Sequence, residues 1–225
     1  MTRLRIALAK GRLYEPSIAL FSAAGAAPAG DAGRRLLIPS GDPGIEFLVV
    51  KPADVPVYVE SGAADLGVTG TDVLRETGAD VLEPLELGFG LCRLVVASPV
   101  EGAYPLLPGG VTPRVATKYP RLTRTHFNAR GRPVDIINVG GSVEVAPLLG
   151  LSHWIVDLVD TGNTLRANGL VEQETILPVG AVLVANRATQ KLKLDSYLDL
   201  MRRLESTAPV SRGASATGPL SKHAR

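Results

Sequence analysis

The densest chemistry in the chain lies in the stretch Trp154-Ile155-Val156-Asp157-Leu158-Val159-Asp160-Thr161-Gly162-Asn163-Thr164-Leu165. An apolar strand runs into an acid, then into a tight turn rich in hydroxyls around a glycine. A short helix follows and is stopped by Asn168-Gly169. A strand-to-helix turn of this kind aims several backbone N–H groups at one point, and with the helix N-terminus they make a phosphate site. Thr161 and Thr164 add hydroxyl donors, and Gly162 lets backbone approach a ligand closely. Asp157 and Asp160 would repel a bare phosphate. They make sense beside a ligand that also carries ribose hydroxyls or Mg²⁺, which carboxylates hold. On residue types alone, a capped helix after a strand explains the same segment equally well.

Most other polar candidates have a structural reading at least as good. Glu60 and Asp65 flank a helix end, and Asp72 follows Gly70 where it can cap a helix. Thr69-Gly70-Thr71 is a candidate lining for the adenine side of a nucleotide site. Lys118 ends a strand and is either a solvated strand end or a ligand-facing cation. Arg34-Arg35 is a solvated basic pair or an anion contact. His126 sits on a helix and His153 beside Trp154. Three scattered histidines and one cysteine make no zinc site, so no metal site is assigned to protein side chains.

These residues need positioning elements. Leu4 to Ala9 reads as a buried strand broken by Lys10-Gly11-Arg12, and a helix can start at Pro16 and run until Gly25 stops it. Leu36 to Ile38 and Glu46 to Val50 read as strands joined by the turn Ser40-Gly41-Asp42-Pro43-Gly44. Asp54 is placed to cap a helix over 55–61, Asp65 to Val68 is a strand, and Val73 begins another helix. This alternation predicts a mostly parallel sheet with crossover helices. A second set of strands falls at 93–97, 114–118, 135–139 and 155–159, with helices over 119–128 and 144–151, the latter interrupted by Pro147. Strands over 175–179 and 182–185 precede an amphipathic helix over 192–204, with Leu194, Tyr197, Leu198, Met201 and Leu204 at helical spacing.

The pattern is α/β in two lobes: 1–90 plus 183–205 as the first, 91–182 as the second with the phosphate turn, and 206–225 as a disordered tail. A ligand cleft between the lobes is expected. The 225 residues suffice for this, and with 45% hydrophobic residues but only 4% aromatic ones, aliphatic side chains must build the core. So few aromatics argue against stacking single-stranded nucleic acid. The net charge of +2 includes three cations and no acid in the last twenty residues, which leaves the remainder at −1 and gives no basic footprint for nucleic acid. One cysteine, Cys92 in an apolar run, fits a reducing compartment. With no signal peptide and no apolar run long enough to span a bilayer, a cytoplasmic protein away from membranes is expected.

From Glu144 the chain reads Glu144, five residues, Gly150-Leu151-Ser152, two residues, Ile155-Val156-Asp157-Leu158, two residues, Thr161-Gly162-Asn163-Thr164-Leu165. This resembles the signature of the ATP phosphoribosyltransferase family at every specified position over 22 residues. Ile6 to Leu13, Lys51 to Asp72 and Asn138 to Glu144 are similar to that family too, so the resemblance covers roughly residues 4–205. One departure is Lys51, where relatives often carry Arg: the charge is kept and the bidentate fork lost.

The resemblance implies a fold like a type II periplasmic binding protein, with the active site in the cleft between two lobes. It implies that Asp157 to Leu165 hold the 5′-phosphate and ribose of phosphoribosyl pyrophosphate, with Glu144 and Asp157 on ribose hydroxyls. Lys10 and Arg12 would face the pyrophosphate or the ATP phosphates, with Lys51, Gly70 and Thr71 as further phosphate or ATP contacts. N1 of ATP would attack C1 of the ribose as pyrophosphate leaves. Positive charge from Lys, Arg and substrate-bound Mg²⁺ would stabilise the departing anion, and no general base is named. With the catalytic pattern ending near residue 205, the chain resembles the short form. That form implies a hetero-oligomer with a regulatory subunit resembling histidyl-tRNA synthetase, which carries histidine feedback.

Two other functions remain in view. A small-ligand binding or sensor module can use the same fold, but has no need of Asp157 and Asp160 beside Thr-Gly-Asn-Thr. Another phosphoribosyltransferase, of the nucleotide-salvage kind, uses an acid-rich strand before a Thr-Gly loop, usually with adjacent acids; here two residues separate them.

Overall fold

The computed structural model describes residues 3–30, 36–99, 110–207 and the backbone of 211–212. The Arg34-Arg35 pair lies outside the described residues. In chain order the first elements are β1 (Leu4–Ala9), α1 (Tyr14–Ala23), β2 (Leu37–Pro39), β3 (Ile45–Val50), α2 (Val55–Glu60), β4 (Leu66–Gly70), α3 (Thr71–Thr77) and β5 (Leu82–Glu86). Then come β6 (Cys92–Ser98), β7 (Arg114–Thr117), α4 (Pro120–Ala129), β8 (Asp135–Asn138), β9 (Trp154–Val159) and α5 (Asn163–Ala167). The last are β10 (Val171–Val179), β11 (Ala181–Ala185), α6 (Thr189–Leu192), α7 (Leu194–Glu205) and β12 (Ser211–Arg212).

The chain divides into two compact units, one from Met1–Thr69, Ala79–Phe89 and Ala181–Arg225, the other from Gly70–Gly78 and Gly90–Gly180. The sequence reading kept residues 70–78 with the first lobe; they cluster with the second unit instead. The cause is local. The Glu76 carboxylate accepts the Arg121 and Leu122 amides at 2.8 and 2.9 Å, capping the start of α4, and the Tyr119 hydroxyl donates to Asp72 Oδ2 at 2.8 Å. A cap of this kind is worth about 1 kcal/mol. Asp72, expected as a cap for its own helix, makes no such bond there; Gly70 is the N-cap.

The first unit is built on a seven-stranded sheet in the order β12-β5-β11-β4-β1-β3-β2. The central strands β1, β3 and β4 run parallel, and β1 and β4 are apolar and buried along almost their whole length, as a sheet covered on both faces requires. Phe21 of α1 packs edge-on against Phe47 of β3, centroids 5.3 Å apart, and both are fully buried. Truncating either ring to alanine would cost about 3–5 kcal/mol. Asp65 accepts the Arg5 amide and the Lys193 ammonium, each at 2.8 Å, and so ties the last helices to β1.

The second unit has a five-stranded sheet, β10-β6-β9-β7-β8. β7 pairs parallel with β8 and β9, whereas β6 is antiparallel to β9 and β10. Phe127 of α4 stacks on Trp154 at 5.8 Å within an aliphatic core. His153 Nδ1 accepts the Arg114 amide at 2.9 Å, a structural role at the start of β7.

Several expectations need correction. Both sheets are mixed, not mostly parallel: β2 is antiparallel to β3, and β5 to β11 and β12. The helix expected over 144–151 is a 3-10 turn, Val143–Val145, followed by turns, because Pro147 lacks an N–H and its ring blocks helical continuation. Residues 52–54, ahead of α2, likewise form a 3-10 turn, and Asp54 makes no side-chain cap bond. The helix over 192–204 breaks at Lys193 (φ −133°) into α6 and α7. Tyr197, Leu200, Met201 and Leu204 are its buried stripe, while Leu194 and Leu198 stay exposed. β5 was not anticipated; it carries Pro84 in the stretch where its register against β11 shifts, between Leu183 and Ala185. Of the tail expected to be disordered, Ser211 and Arg212 instead pair with β5; residues 208–210 and 213–225 lie outside the described residues.

Candidate functional site

In each unit, the residues singled out by sequence stand at the C-terminal ends of parallel strands. This is where open α/β sheets leave loops free to hold ligands.

In the first unit, β1 and β3 end level with each other, Ala9 opposite Val50, and the Lys10 amide donates to the Val50 carbonyl at 2.8 Å. Lys10 and Lys51 therefore leave neighbouring strands side by side, both exposed. Gly11 takes φ +88°, which turns the chain out of the strand and presents Arg12 on the surface before α1 begins.

In the second unit, three adjacent parallel strands, β8, β7 and β9, deliver the rest. Asn138, Thr117 and Val156 are in register, so the segments from Val139, Lys118 and Asp157 onward emerge together. After β8 the chain passes Gly140-Gly141 and enters the 3-10 turn that carries Glu144. Ser142, which precedes that turn, has φ +47° and is the non-glycine residue with positive φ among the described residues. Such a conformation costs roughly 1–2 kcal/mol and here sets the direction of the Glu144 turn. Val143 is buried in the same core cluster as Ile155, Val159 and Leu165. One set of apolar contacts thus anchors the Glu144 turn, strand β9 and the turn over 160–165.

Asp157 is half-buried. Its Oδ1 accepts the Leu158 amide at 2.8 Å and lies 3.3 Å from the Lys118 ammonium. Asp160, exposed, gives its carbonyl to Arg93 Nη1 at 2.9 Å. Arg93 is in turn clasped by Glu172, Nε to Oε1 at 2.9 Å and Nη2 to Oε2 at 2.5 Å. That hydrogen bond holds the Glu172 carboxyl below its usual range and the guanidinium above its own. Gly162 adopts φ +76° as the N-cap of α5, a conformation that disfavours side chains. Within the turn, Arg166 Nη2 donates to Asn163 Oδ1 at 2.6 Å and to the Thr161 carbonyl at 3.1 Å. The Arg166 amide closes on the Gly162 carbonyl at 3.1 Å, which leaves the amides of Asn163, Thr164 and Leu165 without intrahelical acceptors. Leu165 is itself buried and serves as the anchor of the turn.

Thr69 and Gly70 are buried and Thr71 is half-buried. The Thr71 hydroxyl accepts the Gly180 amide at 3.2 Å. A side chain at Gly70 would meet Asp72 Oδ1 at 2.1 Å, so glycine there makes room for the Asp72 carboxylate. Tyr119, which donates to that carboxylate, has its phenol pushed well above its ordinary value, first by burial and then by the charge of Asp72. Sequence reading missed Arg93, Glu172 and Tyr119 as supports. They are distant in sequence from what they hold, and only strand register reveals them. Lys118 was left open, and the structure sets it on Asp157.

Chemically, the edge of the second unit combines carboxylates for hydroxyls with amides and hydroxyls for an anion. The edge of the first unit offers exposed cations. The chain's α/β fold is shared with a solute-binding protein. The alkanesulfonate-binding protein SsuA from Xanthomonas axonopodis pv. citri superposes with a TM-score of 0.54 at 14% identity, covering 92% of this chain and 73% of that one, which shows the fold alone.

The family is more specific. The family model described as ATP phosphoribosyltransferase matches residues 51–206. The ATP phosphoribosyltransferase of Acidithiobacillus ferrooxidans is 48% identical over 209 residues, 91% of this chain and 97% of that protein. That of Sorangium cellulosum is 49% identical over 212 residues, 93% and 98% of the two chains. A chain of the ATP phosphoribosyl transferase (HisG:HisZ) complex from Thermotoga maritima superposes with a TM-score of 0.80 at 32% identity, covering 90% of this chain and 97% of that one. The chain belongs to the ATP phosphoribosyltransferase family.

Proposed function

We propose that this chain transfers the phosphoribosyl group of phosphoribosyl pyrophosphate to N1 of ATP, releasing pyrophosphate, in the first step of histidine biosynthesis. The observation that carries the reading is the shared edge of β8, β7 and β9. There Glu144, Asp157 and the 160–165 turn stand together on one apolar anchor. Family membership supplies the reaction class.

In this reading the amides and hydroxyls of Thr161, Gly162, Asn163 and Thr164 hold the 5′-phosphate, while Asp157 and Glu144 accept hydrogen bonds from ribose hydroxyls. Asp160 stands exposed beside them. Lys10 and Arg12 stabilise anionic charge as pyrophosphate departs, and Lys51, Gly70 and Thr71 belong to the phosphate or ATP contacts. Among the described residues no group of three or more His, Cys, Asp or Glu side chains is gathered to hold a metal. The exposed carboxylate oxygens are hard donors that suit Mg²⁺ as additions to an ion chelated by the substrate diphosphate. When bound, that ion supplies charge neutralisation at the leaving group.

We further propose the short form, working with a regulatory subunit that resembles histidyl-tRNA synthetase. Support comes from the likeness to a chain of the two-component HisG:HisZ complex from Thermotoga maritima, and from relatives matched over 97–98% of their own length. No helix among the described residues is long and apolar enough to cross a membrane, and a biosynthetic family with a lone cysteine supports a cytoplasmic setting.

The reading is tested by following consumption of phosphoribosyl pyrophosphate with ATP, with free nucleobases, and with neither. Consumption with ATP alone supports it. Consumption with a nucleobase favours a salvage transferase, and binding without turnover in the presence of the partner subunit favours a sensor module.

A further inference from the structure

An anionic sugar diphosphate set against Glu144, Asp157 and Asp160 is favoured by positive charge on the same unit, and the neighbouring Arg93 and Arg166 are already committed. Arg93 is clasped by Glu172, and Arg166 is bound to Asn163 and the Thr161 carbonyl. Lys118 is different. Its ammonium stands 3.3 Å from Asp157 Oδ1 and 5.7 Å from the centre of the Tyr119 ring, with 39% of its side chain exposed. That separation exceeds the 2.7–2.9 Å of a tight charge-assisted bond. Lysine is also a point charge on a flexible stem, able to pivot without moving the backbone.

The backbone beneath it is fixed. The Thr117 hydroxyl donates to the Val156 carbonyl at 2.8 Å and accepts the Tyr119 amide at 2.9 Å. Asp157 is oriented independently of the lysine, since its Oδ1 holds the Leu158 amide at 2.8 Å.

We propose that Lys118 is a substrate-contacting residue that exchanges partners: it neutralises Asp157 in the ligand-free protein and passes to the diphosphate of phosphoribosyl pyrophosphate when the ribose hydroxyls take the carboxylate. This rests on the reading that Asp157 holds the ribose. The exchange gives each charge a partner before and after binding, so neither is left uncompensated. It also makes Lys118 report on the diphosphate and not on the sugar.

Calorimetric titration of the full chain with Mg²⁺–phosphoribosyl pyrophosphate and with ribose 5-phosphate, which lacks the diphosphate, separates the cases. Lys118→Met should weaken phosphoribosyl pyrophosphate about tenfold or more and leave ribose 5-phosphate within about twofold, while Lys118→Arg retains most of the affinity. An unchanged affinity for phosphoribosyl pyrophosphate, or an equal loss for both ligands with an intact melting transition, would overturn the proposal. Asp157→Asn should weaken both ligands. If it weakens both while Lys118→Met changes neither, the exchange fails and the ribose reading stands. If Asp157→Asn changes neither, or the wild type binds neither, the ribose reading fails and the proposal with it.

Discussion

Arg93 reaches from β6 to the carbonyl of Asp160, 67 positions away in sequence, and holds it at 2.9 Å while Glu172 grips the rest of the guanidinium. The 160–165 turn is thereby braced from outside, through a backbone carbonyl and not through a candidate ligand side chain. Arg93→Lys keeps the charge and loses the fork. Because small misplacements of a binding turn are costly, affinity for phosphoribosyl pyrophosphate should fall about tenfold, as read by calorimetry, with little change in the melting temperature. Unaltered affinity would show that the turn holds its shape without the brace.

Gly162 is the position in that turn where conformation dictates residue type. Its φ is +76°, and an added Cβ would come within 3.1 Å of Arg166 Nη1. Gly162→Ala should cost about 1–2 kcal/mol in chemical denaturation. It should also weaken phosphoribosyl pyrophosphate binding more than Arg93→Lys does, because the strain falls on the turn itself. A stable Gly162→Ala protein with full affinity would remove the turn from the account.

Tyr119 and Asp72 form the buried polar link between α3 and the segment after β7 that carries Lys118. Tyr119→Phe leaves a buried carboxylate short of a donor and should destabilise the protein by about 1.5–3 kcal/mol in urea unfolding. The combination with Asp72→Ala should cost less than the sum of the two single changes, since each removes the same hydrogen bond. Strict additivity would mean that the two groups do not interact.

His126 is buried at the end of α4, edge-on to Phe127, with Glu174 3.4 Å from its Nε2. Burial lowers its pKa below the ordinary 6.5, and Arg130 adds to this; Glu174 opposes without reversing it. A depressed imidazole binds fewer protons folded than unfolded, so its contribution to stability is complete above pH 6.5 and declines as the pH falls below that value. Melting temperature should drop with acidification in this window, and His126→Gln should flatten that part of the profile. An identical profile in the variant would assign the acid sensitivity elsewhere.

Much of this was legible in the chain because parallel strands buried on both faces announce themselves as apolar runs, as at Leu4–Ala9 and Trp154–Val159. The phosphate turn was legible because glycine, threonine and acid occur there in one short segment. The supports were not legible. Arg93, Glu172 and Tyr119 act through register across the sheet, which no local pattern encodes. Ser142 hid its left-handed backbone behind an ordinary residue type, and β5 contains Pro84, a residue disfavoured in sheets, where its pairing with β11 is irregular. The break at Lys193 was missed because periodicity runs through it; the lysine is drawn to the Arg3 carbonyl and Asp65 by tertiary contacts.

The most direct test of the central claim is a spectrophotometric assay of phosphoribosyl-ATP formation from ATP, phosphoribosyl pyrophosphate and Mg²⁺, with pyrophosphatase to draw the reaction forward. It is run with and without the histidyl-tRNA synthetase-like subunit. The wild-type chain should form product in at least one of these conditions. A Thr161→Ala/Thr164→Ala variant that still folds should lose most of that rate, about a hundredfold or more. No product with the partner present, or full activity in the double variant, would contradict the assignment of the reaction or of the turn that holds its substrate.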